Sequence, residues 1–220
     1  MKDSNQKIIK FNYDQNFRYE DFYISKSNEH IIFLLNKWPK WSKNFLNISG
    51  EAFSGKSHLI NIFLKKFKGI KLESNLLCNK DLNEIKVHQN IILENLNNDI
   101  NENLVYSLFN IIEQDNKYLI VTSRKPIVDL DFKLDDLRSR TKNFLLQKIE
   151  KPDDEMIYAL ILKNLSDKQI IIEKKLINYI IRRIDRSYSK IFDFIYKIDE
   201  ISLKKKKSIN LGIIKEALGE

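Results

Sequence analysis

The chain has 220 residues, of which 43% are hydrophobic and 31% charged, and its formal net charge is +8. The length suffices for one α/β domain with a small additional domain, and the composition excludes a disordered or fibrous protein. No apolar run reaches the length of a membrane span, the first residues lack the pattern of a secretory signal, and the single cysteine, Cys78, excludes a disulfide framework and a cysteine-bound metal. We therefore expect a cytoplasmic protein that has no membrane partner.

A polar tail is predicted over residues 1–18, and it contains the hexapeptide Gln6-Lys7-Ile8-Ile9-Lys10-Phe11. Its glutamine, aliphatic and aromatic residues have the spacing of peptides that bind the sliding clamp of bacterial replication. An extended peptide of this kind can fill an apolar cleft with Ile9 and Phe11 while Gln6 forms a hydrogen bond at the rim. The alternative is a frayed terminus without a partner.

An amphipathic helix is predicted after the tail. Ser27 or Asn28 can cap its first turn. Its apolar residues are spaced to form one buried face, namely Ile31, Ile32, Leu34 and Leu35.

Residues Gly50–Ser57 fit the phosphate-loop pattern of Gly, four residues and Gly-Lys-Ser/Thr. A buried strand is predicted before the loop, at 44–49, and a helix after it, at 58–67. Backbone N–H groups and the positive end of that helix can hold phosphate oxygens, and the glycines let the backbone approach closely. Lys56 would then reach the β- and γ-phosphates of a nucleotide, and Ser57 would bind Mg²⁺. A simple turn between strand and helix is the alternative.

Further strands are predicted at 69–73 and 90–95, with a polar helix or loop at 75–85 between them. The later strand ends in Glu94, and an apolar strand ending in an acid suits a Walker B element, whose carboxylate must lie beside Mg²⁺ and the attacking water. Many active ATPases have two acids here, but Asn95 follows Glu94, so no second carboxylate can act as a base. We therefore expect weak intrinsic hydrolysis.

A helix at 103–114 and a strand at 117–121 come next, and the strand is followed by Thr122 and Ser123. Hydroxyl groups at this end of a strand would point at the nucleotide. Turn chemistry before Pro126 explains the same pair equally well, so both interpretations stay open.

Residues 135–140 (DDLRSR) are predicted to end a helix just before a last strand at 143–147. Arginines at the end of a helix are usually solvated or pair with its C-terminal carbonyls. In an oligomeric ATPase the same position carries an arginine finger, which stabilises charge on a neighbour's γ-phosphate in the transition state.

A boundary between two domains is predicted at Lys151-Pro152, because proline and the acidic residues after it favour the start of a helix. This divides the chain into an α/β domain over residues 19–150 and an all-helical domain over residues 151–220. Apolar residues at helical spacing predict three helices in the second domain and a short last helix. The basic run 204–207 is more typical of a solvated turn than of a DNA-binding segment.

Taken together, the phosphate loop ISGEAFSGKSHLI, the strand IILEN, the strand end IVTSRKP and the box DDLRSR resemble the DnaA-related AAA+ family. The resemblance covers residues 6–218 and is greatest to the Hda subfamily, the regulatory inactivators of DnaA. It implies an α/β fold, in which an AAA+ P-loop NTPase core with a five-stranded parallel sheet is followed by a small all-α lid domain. It also implies that the helicase-recruiting and helix-turn-helix domains of DnaA are absent.

The resemblance further implies the residues of a nucleotide site. For ADP or ATP, the phosphates would be held by Gly50, Gly55, Lys56 and Ser57. Mg²⁺ would be bound by Ser57 and Glu94. The adenine would lie beside Phe22, Tyr23 and Asn28, and the second sensor would be Lys190. Three catalytic roles at the γ-phosphate are implied as well. Glu94 would be the Walker B acid, either Thr122 or Ser123 the first sensor, and Arg140 an arginine finger that acts in trans. Lys190 stands where arginine is usual, which removes a bidentate phosphate contact.

The expected function is negative regulation of replication initiation. By resemblance, the protein would bind ADP or ATP, dock on the sliding clamp through its tail, and promote ATP hydrolysis by DnaA through Arg140. The alternative is an autonomous DNA-associated ATPase, acting as a helicase loader or transposition helper, with direct DNA contact favoured by the net charge of +8. A small-molecule kinase ranks third, and a homo-oligomer is compatible with each interpretation.

Overall fold

A computed structural model describes residues 22–220, which form a parallel β-sheet with helices on both faces, followed by a helical region. The clamp-like hexapeptide, with Gln6, Ile9 and Phe11, lies outside the described residues.

The sheet has five strands in the order β2-β3-β4-β1-β5, and every neighbouring pair is parallel. The strands are β1 (Phe45–Ser49), β2 (Ile70–Glu73), β3 (Asn90–Leu96), β4 (Tyr118–Ser123) and β5 (Leu145–Lys148). This confirms the predicted α/β fold with a five-stranded parallel sheet. Because all strands run the same way, the ends of β1, β3 and β4 meet at one edge, where ligands of such sheets bind.

Five helices accompany the strands, and they cover both faces of the sheet: α1 (Glu29–Asn36), α2 (Lys56–Lys66), α3 (Asn79–Glu84), α4 (Glu102–Gln114) and α5 (Asp135–Thr141). Helices α1 and α2 pack on the face that carries Ile48, Ile92 and Ile120. Helices α4 and α5 pack on the opposite face, which carries Leu93 and Val121. Successive residues of a strand point to opposite faces, which is why both sides of these strands are apolar.

The helical region consists of α6 (Asp154–Asp167), α7 (Lys174–Ile181), α8 (Tyr188–Lys205) and α9 (Leu211–Leu218). It has its own apolar core, to which Ile161, Ile177 and Ile195 contribute. Met156 and Tyr188 instead join the core beneath α1 and α2, so the helical region packs against the sheet domain. Within residues 22–220 no helix is both long and apolar enough to cross a membrane.

Two local predictions are corrected by the structure, and a third is given in more detail. Helix α6 begins at Asp154 and not at Pro152, because the Asp153 side chain accepts a hydrogen bond from the Met156 N–H at 2.7 Å and so sets the cap. Asn28 precedes α1, but its side chain forms no cap to that helix. The polar segment at 75–85 divides into a 3₁₀ turn and the short α3.

Candidate nucleotide-binding site

The phosphate loop joins β1 to α2 at the edge where the strands end. Gly55 precedes the helix with φ of 91°, in the left-handed region that favours glycine. A Cβ atom on Gly55 would lie 3.1 Å from the ring of Phe22, and one on Gly50 would lie 2.8 Å from the Ser54 hydroxyl. Gly55 is therefore required by the backbone of the loop, whereas a side chain at Gly50 would first have to displace the Ser54 hydroxyl.

Lys56 lies at the start of α2, with only 9% of its surface exposed. Its ammonium donates hydrogen bonds of 2.8 Å to the carbonyls of Gly50 and Glu51. Burial lowers the pKa of Lys56 to about 8, the positive charge of Arg124 adds to the shift, and the charges of Glu51 and Glu94 oppose it. A buried cation inside a loop of backbone N–H groups is suited to phosphate oxygens, which would replace the two carbonyls as acceptors.

Glu94 lies in β3 with 2% of its surface exposed. One carboxylate oxygen is 3.0 Å from the ammonium of Lys71, and the other has no hydrogen-bond partner. A buried oxygen without a partner is costly unless a cation or donor reaches it, so the site fits Mg²⁺. Ser57, in the first turn of α2, would supply the hydroxyl ligand. Among the described residues no group of three or more His, Cys, Asp or Glu could hold a metal, so Mg²⁺ would depend on the nucleotide's phosphates.

The two hydroxyl residues at the end of β4 point in different directions. The Thr122 hydroxyl accepts a hydrogen bond of 3.0 Å from the Asn95 N–H, on the sheet face that α2 covers. The Ser123 hydroxyl donates to the carbonyl of Lys125 at 2.5 Å and accepts from the Asn47 amide at 2.9 Å. The structure therefore brings Thr122 to the phosphate-loop side, whereas Ser123 stabilises the turn that follows the strand.

Asn95 occupies the position of the second Walker B acid. Its φ of 59° is left-handed, and the pairing of β3 with β4 is irregular at this point. The Asn95 amide donates to the Glu73 carboxylate at 3.0 Å, and the Ser74 hydroxyl donates to the Asn95 carbonyl at 2.9 Å. The side chain is thus turned toward β2, and it offers no general base.

The segment before α1 lies close to the phosphate loop. The ring of Phe22 contacts the His58 ring edge-on, with centroids 5.1 Å apart. Asn28 is buried, and its amide accepts from the Ser25 N–H and donates to the Tyr23 carbonyl, both at 3.0 Å. Asn28 therefore shapes this segment, while the Tyr23 side chain is exposed. The adenine roles of Phe22, Tyr23 and Asn28 stay predictions.

Arg140 lies on α5, on the sheet face opposite α2. Its guanidinium is 2.5 Å from the Glu113 carboxylate and 5.0 Å from the centre of the Tyr106 ring, so α4 holds it in place. Arg138, on the same helix, pairs with Asp135 and is more exposed. Arg140 and the phosphate-loop helix thus lie on opposite faces of the sheet, and the role of Arg140 as an arginine finger in trans stays a prediction.

Lys190, the predicted second sensor, is exposed in the first turn of α8. The carboxylate of Glu51 in the phosphate loop bonds to that turn, which places Lys190 near the loop.

Sequence reasoning missed Glu51, Lys71 and Glu113. An acid inside a phosphate loop is the only signal that pointed to Glu51, and the contacts of Lys71 and Glu113 depend on strand register and helix packing.

Comparison with known proteins gives the site a context. No protein-family model matches the chain. The DnaA chromosomal replication initiator of Thermoanaerobacter sp. (strain X514) is 24% identical over an alignment 230 residues long, and this alignment covers 93% of this chain and 52% of DnaA. The chain thus spans about half the length of this curated relative.

Solved structures agree with the sequence match. Domain III of Thermotoga maritima DnaA superimposes with a TM-score of 0.69 and 17% identity, covering 95% of this chain and 98% of that domain. The fold is therefore that of domain III of DnaA. A DnaA structure bound to AMPPCP and single-stranded DNA matches with a TM-score of 0.65 and 19% identity, over 88% of this chain and 69% of that one. These similarities support a relationship with DnaA-related AAA+ proteins.

Proposed function

We propose that this protein is a negative regulator of replication initiation. It binds ADP or ATP in its phosphate loop, docks on the sliding clamp through Gln6–Phe11, and promotes ATP hydrolysis by the initiator DnaA through Arg140. The observation that supports the proposal is a candidate site without a second acid: the Lys56 ammonium bonds to carbonyls of the phosphate loop and one buried oxygen of Glu94 has no partner, while Asn95 is turned toward Glu73.

Each group has a defined task in this proposal. The buried ammonium of Lys56 and the N–H groups at the start of α2 hold the phosphates, and Ser57 and Glu94 hold Mg²⁺. Bound Mg²⁺ would neutralise phosphate charge, and Thr122 would orient the end of β3 beside it. Arg140 leaves Glu113 to contact the γ-phosphate bound by DnaA, where a guanidinium stabilises the charge of the transition state.

An autonomous DNA-associated ATPase is the second candidate. The net charge of +8 and the similarity to a DnaA structure that holds single-stranded DNA favour contact with DNA. This function requires turnover by the protein alone, stimulated by DNA, and DNA binding that weakens steeply with salt. The amide of Asn95, in place of a second acid after Glu94, argues against such turnover.

The deciding experiment measures ATP hydrolysis by DnaA from the same source, with this protein and the clamp loaded on DNA. Arg140→Ala should abolish the stimulation, since an arginine finger contributes roughly 10³–10⁵-fold to turnover. Arg138→Ala, on the same helix, is the matched control and should retain it. Phe11→Ala should lose both clamp binding and stimulation.

Nucleotide and clamp binding by Arg140→Ala should remain as in the wild type. Unchanged stimulation by this variant would overturn the assignment of the finger. DNA-stimulated turnover without DnaA would favour the second candidate instead.

A further inference from the structure

The side chain of Glu51, the second residue of the phosphate loop, forms hydrogen bonds with the helical region. One carboxylate oxygen accepts a hydrogen bond from the Ser187 hydroxyl, and the other accepts one of 2.9 Å from the Tyr188 N–H. Burial raises the pKa of Glu51, but hydrogen bonds from Ser187, Tyr188 and Ser189 together outweigh it and leave the pKa below its ordinary value. The group is therefore a charged carboxylate at neutral pH.

These bonds complete the first turn of α8. The first N–H groups of a helix have no partner within the helix and need one outside it. Ser187 caps α8 by accepting from the Lys190 N–H at 3.3 Å, and Glu51 accepts from the Tyr188 N–H. The positive end of the dipole of this 18-residue helix also favours a carboxylate at that place. The charge of an acid inside the phosphate loop is thus stabilised by α8.

Two further contacts join the same turn to the sheet domain. The ring of Phe53, in the phosphate loop, lies 5.0 Å from the ring of Phe192 between centroids. The hydroxyl of buried Tyr188 lies 3.2 Å from the hydroxyl of Ser27. The start of α8 therefore contacts the phosphate loop through Glu51 and Phe53, and it contacts the segment before α1 through the Ser27 hydroxyl.

We propose that Glu51 is a positioning residue that fixes the first turn of α8, and with it Lys190, against the phosphate loop. Lys190 lies three residues after the Ser187 cap, so the orientation of this turn decides whether its ammonium faces the γ-phosphate. Glu51 thereby couples the position of the helical region to discrimination between ATP and ADP. The proposal rests on nucleotide binding in the loop, as proposed above, and it assigns Glu51 no contact with the nucleotide.

The first test is amide hydrogen exchange of the full chain without nucleotide. Glu51→Ala should speed exchange at Tyr188 and Ser189 by about five- to tenfold, the loss typical of a removed cap. Glu51→Gln, which keeps one acceptor and preserves the loop if alanine disturbs folding, should give a smaller increase. Glu150→Ala removes an exposed carboxylate that is 3.9 Å from Lys148, and it should change nothing in α8.

The second test is the ratio of the Kd values for ATP and ADP. Glu51→Ala and Lys190→Ala should each lower the preference for ATP, and the double variant should lower it no further than Lys190→Ala alone. A purely structural role would leave this ratio unchanged.

Unchanged exchange in α8, an unchanged ratio in Glu51→Ala, or additive effects of the two substitutions would each overturn the proposal. A wild-type protein that bound neither nucleotide would overturn the proposed function. The exchange measurement would then decide by itself whether Glu51 holds α8.

Discussion

Two charged groups of opposite sign, Glu94 and Arg140, are each held by a partner within the chain, but in different surroundings. Glu94 is 2% exposed and pairs with Lys71, whereas the Arg140 side chain is 27% exposed and pairs with Glu113. Removing one partner of a buried ion pair costs about 3–5 kcal/mol, whereas an exposed pair contributes about 0–1 kcal/mol. Arg140 can therefore be released to a partner at little cost, while Glu94 requires another cation before Lys71 can leave.

This difference matches the proposed division of labour. At the proposed nucleotide-binding edge, Lys56 and Glu94 are buried and held by contacts within the chain. On α5, Arg140 is held by an ion pair with Glu113, and a phosphate bound by a partner protein can replace Glu113 in that pair. A regulator that acts on another protein's nucleotide needs both properties, and they lie on opposite faces of one sheet.

The largest effect is expected for Lys71→Ala, which leaves the buried carboxylate of Glu94 without a cation. The free energy of unfolding should fall by about 3 kcal/mol, at the lower end of the range for buried pairs because Lys71 is partly exposed. Urea denaturation followed by circular dichroism measures this loss. Glu113→Gln is the matched comparison and should cost less than about 1 kcal/mol. Equal losses in the two variants would contradict the contrast between the pairs.

The next effect concerns pH and Lys56, whose pKa is lowered to about 8 by burial and by Arg124. Phosphate binding needs the charged ammonium, so the Kd for ADP should rise up to about tenfold per pH unit above pH 8. Lys56→Arg, which stays charged, should show a flat profile over the same range. Titration calorimetry between pH 7 and pH 10 measures both. A flat wild-type profile would show that Lys56 is not the cation that binds phosphate.

Over the same pH range, Lys56 should make the free folded protein more stable as the pH rises, although ADP binding weakens. The unfolded chain holds the Lys56 proton up to its ordinary pKa near 10.5, whereas the folded chain releases it near 8. Between these values the unfolded state binds more protons, so the contribution of Lys56 to stability rises with pH.

The fold was predictable because its signals are local. Strands β3 and β4 contain short apolar runs, and Gly50 and Gly55 mark the loop where β1 must turn into a helix. The placement of the candidate site at the ends of β1 and β3 was predictable for the same reason, since Lys56 and Ser57 belong to one continuous motif and Glu94 lies in an apolar strand, while its binding of nucleotide stays a prediction.

The remaining features depend on how distant segments meet. Lys71 reaches Glu94 only because β2 and β3 pair in one particular register. The choice between Thr122 and Ser123 follows from which face of the sheet each residue occupies, and although a turn before Pro126 was one of the two interpretations, the sequence did not say which hydroxyl would join it. The contact of Glu51 with α8 joins segments more than a hundred residues apart, so no local pattern contains it.

The smallest effect is expected for Glu113→Gln in the assay of DnaA hydrolysis. The substitution removes the charge that holds Arg140 on α4 and leaves the Tyr106 ring beside the guanidinium. If a partner's phosphate must compete with Glu113 for Arg140, the stimulation should rise at subsaturating protein by up to about fivefold, the value of an exposed pair.

Glu102→Gln, at the other end of α4, is unsuitable as a control because its carboxylate accepts hydrogen bonds from the backbone N–H groups of Lys133 and Leu134. Asp115→Asn, just beyond the end of α4, serves instead and should leave the stimulation unchanged. A loss of stimulation in Glu113→Gln would show that Glu113 aims Arg140 at the partner, so that the ion pair assists the contact and does not compete with it.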